Sequence, residues 1–234
     1  MNAWWGSLFG RGVGLSETQR QRLQTWQSLA AADRRQAWPE TRVVVVDVET
    51  TGLDMGKDRL IAIGAVAVVA GRIDLAQSFD VVLRQEQVSS HENILIHGIG
   101  GMAQREGLPP ADALLDFLAF LGKSPLVAFH AAFDQTMIDR AMRTSLGLRW
   151  RHPWLDLAYV MPALLPGLSG RRHALDDWTS HFQIDNFARH SASADALATA
   201  QLLLCAMHLA KHERAVSYQA LQAIEAAQHW TFSR

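Results

Sequence analysis

Four consecutive valines, Val43–Val46, constrain this chain more than any other feature. A β-branched run favours extended backbone and buries well on both faces, so it reads as a deeply buried core strand. The run continues as "DVETTG" and ends in two carboxylates, Asp47 and Glu49. Asp is a poor strand former, and an unpaired buried carboxylate is costly. Residues two apart on a strand leave the same face, so these acids point together. Their mutual repulsion raises their pKa values, and a divalent cation removes that penalty by making the pair a ligand set. The plainer alternative is a solvated strand end, where acids are harmless.

Around this strand the chain divides into three stretches. Residues 1–40 read as a helical arm: "SETQRQRLQTWQSLAAADRRQAW" is polar and helix-favouring, with Ser16 and Gln19 spaced as a capping box. Leu23, Trp26, Leu29 and Ala30 form its narrow apolar stripe, which packs on the domain or on a partner, and Trp4 and Trp5 are either a docking anchor or part of the core. Residues 41–214 read as the main domain, and residues 215–234 as a C-terminal helical tail. Within the domain "RVVVVDV", "RLIAIGAVAVVAG" and "QSFDVVLR" are strands, with Gly71 turning the second into the third. A loop through "HENILIHGIGG" leads to a helix at "PPADALLDFLAFLG", and "PLVAF" is a short buried strand. A helix follows at "DQTMIDRAMRTSLG", closed by Gly147; "WLDLAYVMPALLPG" and "HALDDWTSHF" are shorter helices. The last long element, "SASADALATAQLLLCAMHLAKH", is apolar on most faces and therefore buried. A meander of strands followed by alternating strands and helices indicates an α/β domain with a mixed central sheet and flanking helices. Ligands of such sheets gather at the carboxyl ends of the strands, where Asp47 and Glu49 fall.

Composition narrows the chemistry. With 49% hydrophobic and 19% charged residues among 234, the chain has an ordinary globular make-up. A net charge of -1 excludes a broadly basic nucleic-acid coat, so phosphate binding has to rest on a few arginines or on bound metal. The single cysteine, Cys205, excludes an intramolecular disulfide, fits a reducing cytoplasm and sits in a sequence that reads as buried. No run approaches the ~18 apolar residues of a membrane span, and the first residues lack the pattern of a signal peptide. The expected location is cytoplasmic, with no membrane partner.

Three further residues extend the acidic pair. Asp134, in "LVAFHAAFDQTMI", falls near the start of a helix, where an Asp otherwise serves to satisfy free N–H groups. His190 lies just before the last long helix and Asp195 in its early turns. One His among ten carries little meaning alone.

Taken in order, "DVETTG", "HAAFD", and His190 with Asp195 five residues later resemble the three exonuclease motifs of the DnaQ-like family. The class is that of DEDDh 3′–5′ exonucleases, which includes the proofreading subunit of bacterial replicative polymerase. The resemblance covers about residues 42–212 and extends to "RLIAIGAVAV", "IHGIG" and "RHSASADALATAQLLL". It implies an RNase H-like fold and a two-metal mechanism. Asp47, Glu49, Asp134 and Asp195 match the carboxylates that hold two Mg²⁺ or Mn²⁺ ions, and Asp47 matches the bridging one. All-oxygen ligands suit such hard cations, and the lack of clustered Cys and His argues against zinc. His190 matches the general base, and an imidazole is suited to taking a proton from water near neutrality. Thr50, Thr51 and Gly52 match the segment whose backbone N–H groups approach the terminal nucleotide. Glu92 and His97 match positions that touch that nucleotide in proofreading relatives, although His97 also fits a core-edge histidine. Phe129 and Phe133 are candidates for stacking on a base, with core packing as the alternative.

Two positions depart from the family pattern. Ala131 stands where Asn usually follows His130, and Ala62 where relatives often carry Glu. Neither matches a metal ligand. The resemblance implies release of nucleoside monophosphates from single-stranded or frayed DNA 3′ ends. The N-terminal arm is unlike the proofreading subunit, so a stand-alone or loosely associated exonuclease is expected rather than a core replicase subunit, with the arm as the route to any DNA polymerase or repair partner. Two alternatives stay open: an exoribonuclease of the RNase T or oligoribonuclease type, and a non-catalytic nucleic-acid-binding module. A non-catalytic module is expected to have lost one of the five site residues, and all five are present.

Overall fold

The computed structural model describes residues 14–171, 174–186, 188–211 and 215–232, so Trp4 and Trp5 lie outside the described residues. The valine run forms β1 (Arg42–Thr50), the middle strand of five. It pairs antiparallel with β2 (Leu60–Val69), which pairs antiparallel with β3 (Arg72–Val82). On its other side β1 pairs parallel with β4 (Leu126–Ala128), and β4 parallel with β5 (Trp154–Asp156). The order is β3-β2-β1-β4-β5, a mixed sheet. Ala70 and Gly71, with φ of 50° and 73°, form the two-residue turn between β2 and β3. Positive φ at both positions gives a turn whose twist matches that of the flanking strands.

Period-two alternation sorts β1 between two cores. Val44, Val46 and Val48 pack with α4 (Pro110–Leu121) and α5 (Ala131–Leu146). Val43 and Val45 pack with α6 (Leu157–Leu164), α8 (Ala192–Ala210) and α9 (Tyr218–Phe232). Asp47 and Glu49 share the parity of Val43 and Val45 and so face the α8 layer. By length and composition α8 could cross a membrane, yet here it packs against β1, β2 and α6.

The arm begins with α1 (Glu17–Ser28), and the Ser16–Gln19 capping box is formed. Leu23 and Trp26 are buried against the α4 layer, while Leu29 and Ala30 are exposed, so the apolar stripe is only half used. Trp38 is buried in the second core. In the C-terminal stretch Tyr218 and Leu221 are fully buried, and the Tyr218 hydroxyl donates to the Leu126 carbonyl at 2.8 Å.

Several boundaries differ from expectation. The segment "HENILIHGIGG" is not all loop: it holds the short helix α2 (His91–His97) and leads into a second, α3 (Gly101–Glu106). Ser90 caps α2 and Gly98 ends it at φ 72°, while Leu95 and Ile96 stay exposed, so no apolar period marked the helix. Trp154–Asp156 is a strand rather than helix; three residues are too few to show a period, and pairing with β4 decides them. The third strand starts at Arg72, five residues early, with a bulge between Val66 and Ala67 in its partner. The helix α7 (Leu175–His181) forms as expected. Cys205 is half-buried rather than fully buried.

Candidate active site

Asp47 and Glu49 leave the carboxyl end of β1 on the α8 side, both half-buried. Asp195, in the first turn of α8, lies directly over them and is itself buried. Ligand oxygens of Asp47, Glu49 and Asp195 all lie within 4.8 Å of one another, the one such group of acids, His or Cys among the described residues. Asp134 lies outside that group, buried in the first turn of α5 on the opposite layer. Its charge nevertheless acts on Asp47. Acids from both layers thus converge on the end of one strand.

Gly64 permits this closeness. It pairs with Asp47 across β1 and β2, and a Cβ there would stand 2.2 Å from the Ala192 backbone carbon and the Ser193 nitrogen. Only a bare strand position lets the start of α8 sit so low on the sheet. The Ser193 hydroxyl also donates to Asp80 of β3.

The α5 end is set by a residue the sequence reading did not single out. Asp156, buried at the end of β5, accepts from the His130 and Ala131 peptide N–H groups, both at 2.9 Å. It also caps α6 through the Ala158 N–H at 2.9 Å. His130, at φ 60°, is held in the left-handed region just before Asp134's helix. Ala131, in place of the usual Asn, is buried, and its N–H is satisfied by Asp156. Ala62 faces Glu49 across the sheet.

The carboxylates destabilise one another. Burial first, then the charges of Asp134, Asp195 and Glu49, hold the Asp47 carboxyl well above the usual range, with Arg189 opposing. Burial and the Asp195 charge push Glu49 up to about 8. Burial, with Asp156 and Glu49, raises Asp134 against the pull of its own and the Val48 backbone. A cluster this unfavourable to anions, built from oxygen donors alone, fits hard divalent cations, whose charge offsets the mutual repulsion and the burial cost.

Asp195 already has partners. Asn186 Nδ2 donates to its Oδ1, while Arg189 Nη1 at 2.7 Å and the His190 peptide N–H at 3.2 Å donate to its Oδ2. Arg189 also reaches Asp176 of α7 at 2.6 Å. A guanidinium therefore occupies part of the acidic cluster's charge. Arg189, Asn186 and Asp156 were missed by sequence reasoning. Arg189 had one available signal, its place beside His190 in "ARHSASAD". His190 is exposed, at φ 61°, on the turn before α8.

The other expected contacts lie around β1's exit. The Thr50 hydroxyl donates to the Gly52 carbonyl at 2.6 Å. The Thr51 N–H is spent on the Arg59 carbonyl at 2.9 Å, and its hydroxyl bonds to Asp58. A Cβ on Gly52 would strike the Asp58 carboxylate at 2.6 Å. Glu92 is exposed on α2, whose Asn93 side chain donates to the Thr51 carbonyl. His97 is buried, accepting from the Ile99 N–H at its Nδ1 (3.0 Å) and meeting Ser89 Oγ at its Nε2 (3.2 Å). Both ring nitrogens are therefore engaged locally. Phe129 and Phe133 pack against the second and first cores respectively.

A mixed sheet with paired acids at the end of its middle strand, joined by acids from helices on both faces, is the arrangement of a metal-dependent nuclease. The chain belongs to the DnaQ-like exonuclease family, whose members use divalent metals: a family model described as "Exonuclease" (RNase_T) matches residues 44–203. Among curated relatives, a DNA polymerase III subunit epsilon from Rickettsia typhi is 30% identical over 167 residues, 69% of this chain and 72% of that protein. A DNA polymerase III PolC-type from Thermotoga maritima is 32% identical over 161 residues, 69% of this chain. The match spans only 11% of the PolC-type protein's length. Among solved structures, Escherichia coli Exonuclease I in complex with a dT13 oligonucleotide superposes with a TM-score of 0.63 at 16% identity, covering 74% of this chain and 42% of that one. Exonuclease X in complex with 5′ overhanging duplex DNA gives 0.60 at 18%, covering 78% and 99%. These likenesses show the RNase H-like fold.

Proposed function

We propose that the chain is a DEDDh 3′–5′ exonuclease that releases nucleoside monophosphates from single-stranded or frayed DNA ends. The observation that carries this reading is the convergence of Asp47, Glu49 and Asp195 within 4.8 Å, with Asp134 alongside and His190 exposed at the edge. Asp47, Glu49, Asp134 and Asp195 would hold two Mg²⁺ or Mn²⁺ ions, and when bound these would supply positive charge to the phosphodiester under attack. His190, free of burial on its turn, takes the proton from the attacking water. Its peptide N–H on Asp195 ties the position of that base to the acidic cluster. Thr50, Thr51, Gly52, Glu92 and His97 shape the pocket for the terminal nucleotide from β1's exit and α2. DNA is favoured over RNA by the polymerase III relatives and by the DNA complexes among the structural neighbours. We further propose cytoplasmic action and a polymerase or repair partner reached through the arm of residues 1–40.

The test uses 3′-overhang DNA and matched RNA with Mg²⁺, Mn²⁺ or EDTA, beside Asp47→Ala and His190→Ala. Wild type is expected to release mononucleotides from DNA with either metal and none with EDTA. Asp47→Ala should lose more than ~10³-fold and His190→Ala on the order of 10²-fold in turnover. No product from either substrate sinks the enzyme reading, and much faster RNA degradation transfers it to the exoribonuclease alternative.

A further inference from the structure

Outside the acidic cluster, a cavity of about 750 Å³ opens between the start of β2, the end of β3 and the outer turns of α5. Its wall includes the buried apolar side chains Leu60, Leu83 and Met137. Its lining also carries Lys57, paired with Asp54 at 3.5 Å, and three arginines, Arg59, Arg84 and Arg140, against a single carboxylate, Glu86. In a chain of net charge -1, that is a strong local excess.

The three arginines are oriented but not neutralised. Arg59 donates to Gln85 Oε1 at 3.2 Å and to the Gln87 carbonyl at 2.7 Å. Arg84 donates to the Gly107 carbonyl at 3.1 Å and Arg140 to the Met55 carbonyl at 2.5 Å. All of these acceptors are uncharged. Elsewhere Arg20, Arg22, Arg35 and Arg189 each meet a carboxylate. Among the described residues no carboxylate lies within ion-pair distance of Arg59, Arg84 or Arg140. Guanidinium groups fixed by neutral oxygens keep their charge and spare donors for an incoming anion, and their fork suits phosphate.

The position of the cavity names the anion. Arg59 is bonded to Thr51, two residues beyond Glu49. Arg140 lies six residues along α5 from Asp134, on the order of 9 Å at the helical rise. The cavity therefore lies beside the exit of β1, on the α4–α5 side of the sheet from which Asp134 also comes.

We propose that this cavity is a second nucleic-acid subsite, holding backbone phosphates of the strand upstream of the scissile end. This rests on the exonuclease reading and adds a strand-holding groove to it. Among the described residues the cavity lining holds no aromatic ring on which bases could stack, so the groove reads charge rather than sequence.

The test measures anisotropy of 5′-fluorescein dT8 and dT2 in EDTA, using full chains of wild type and of the double variant Arg84→Gln/Arg140→Gln. A matched Arg84→Lys/Arg140→Lys variant controls for folding. Wild type is expected to bind dT8 well above dT2. The Gln variant should lose dT8 affinity tenfold or more and flatten the slope of log K against log salt by about 1.4, for two phosphate contacts. The Lys variant should keep most of both. Hydrolysis of thymidine 5′-monophosphate p-nitrophenyl ester, which has no upstream strand, should be the same in all three. Equal binding of dT2 and dT8 by wild type overturns the groove, as does an unchanged salt slope in the Gln variant. Equal loss on the ester and the octamer overturns it too, by moving the arginines to the reacting centre. If wild type cleaves neither substrate, the exonuclease reading fails, while the EDTA titrations still decide the groove.

Discussion

Gly64 stands directly opposite Asp47 in the β1–β2 register, and the backbone of Ala192 occupies the space where a Gly64 side chain would begin. The helix that delivers Asp195 can therefore descend onto the strand that presents Asp47 only because its neighbour has no side chain.

Gly64→Ala should separate them. A Cβ at 2.2 Å from backbone cannot be absorbed by a side-chain rotation, so α8 has to lift. We expect a stability loss of about 2–3 kcal/mol by urea denaturation, typical of overpacking. Divalent-metal affinity, read by calorimetry with Mn²⁺, should fall at least tenfold. An unchanged affinity would show that α8 is not seated by Gly64.

Arg189→Gln addresses the competitor in the cluster. Arg189 compensates Asp195 at 2.7 Å and ties it to Asp176. Removing it leaves Asp195 with fewer donors, so the thermal midpoint in EDTA should drop. Mn²⁺ should bind about three- to tenfold tighter, because no guanidinium has to be displaced. Equal Mn²⁺ affinity in the two proteins would mean that Arg189 does not compete with metal.

Asp156→Ala tests the support beneath Asp134. It strips acceptors from three peptide N–H groups, two of them at the His130–Ala131 turn. A cost of about 2–3 kcal/mol is expected from buried donors left unpaired. Turnover should fall although Asp156 is no ligand, and Asp156→Asn, which keeps one acceptor, should recover part of both losses. A variant with full wild-type turnover would remove Asp156 from this role.

Glu225, beside Asp156, supplies a pH signature. Burial pushes its carboxyl from 4.5 up to about 7, with the Asp156 peptide N–H opposing and the Asp156 charge adding to it. A carboxyl raised in the fold binds its proton more tightly in the native state. Stability is thus intact below about 4.5 and lost as pH rises towards 7. Glu225→Gln should gain about 1–2 kcal/mol at pH 8 and almost nothing at pH 5, by thermal melts at both pH values. His229, 3.6 Å away, offsets part of the penalty wherever its ring is protonated. A gain independent of pH would point to packing instead.

How far the site could be read in one dimension differs by residue. Asp47, Glu49, Asp134, His190 and Asp195 were legible because each sits at a fixed offset within a strand, turn or helix start. Local geometry sets such offsets, and the family spacing repeats them. Glu92 and His97 were named from the same resemblance, but their environment was not legible. His97 is held by Ser89 and Ile99 within a segment whose helices carry no apolar period. Arg189 was invisible as a partner of Asp195, since nothing in "ARHSASAD" indicates which way a guanidinium turns. Asp156 lies in a three-residue strand, too short to show a period, within a stretch whose sequence reads as helix.

The sequence by itself determined the middle strand, its two-faced burial, the acidic pair at its end and the order of the remaining acids. These follow from side-chain periodicity and backbone preference, which act over a few residues. Only the tertiary structure decided that Asp195 and Asp134 approach from opposite layers, and that Arg189 shares the cluster's charge. It alone brought Arg59, Arg84 and Arg140 around one cavity, with no carboxylate among the described residues at ion-pair distance. Coulomb energies and close backbone approach depend on distances between segments far apart in the chain, and packing sets those distances.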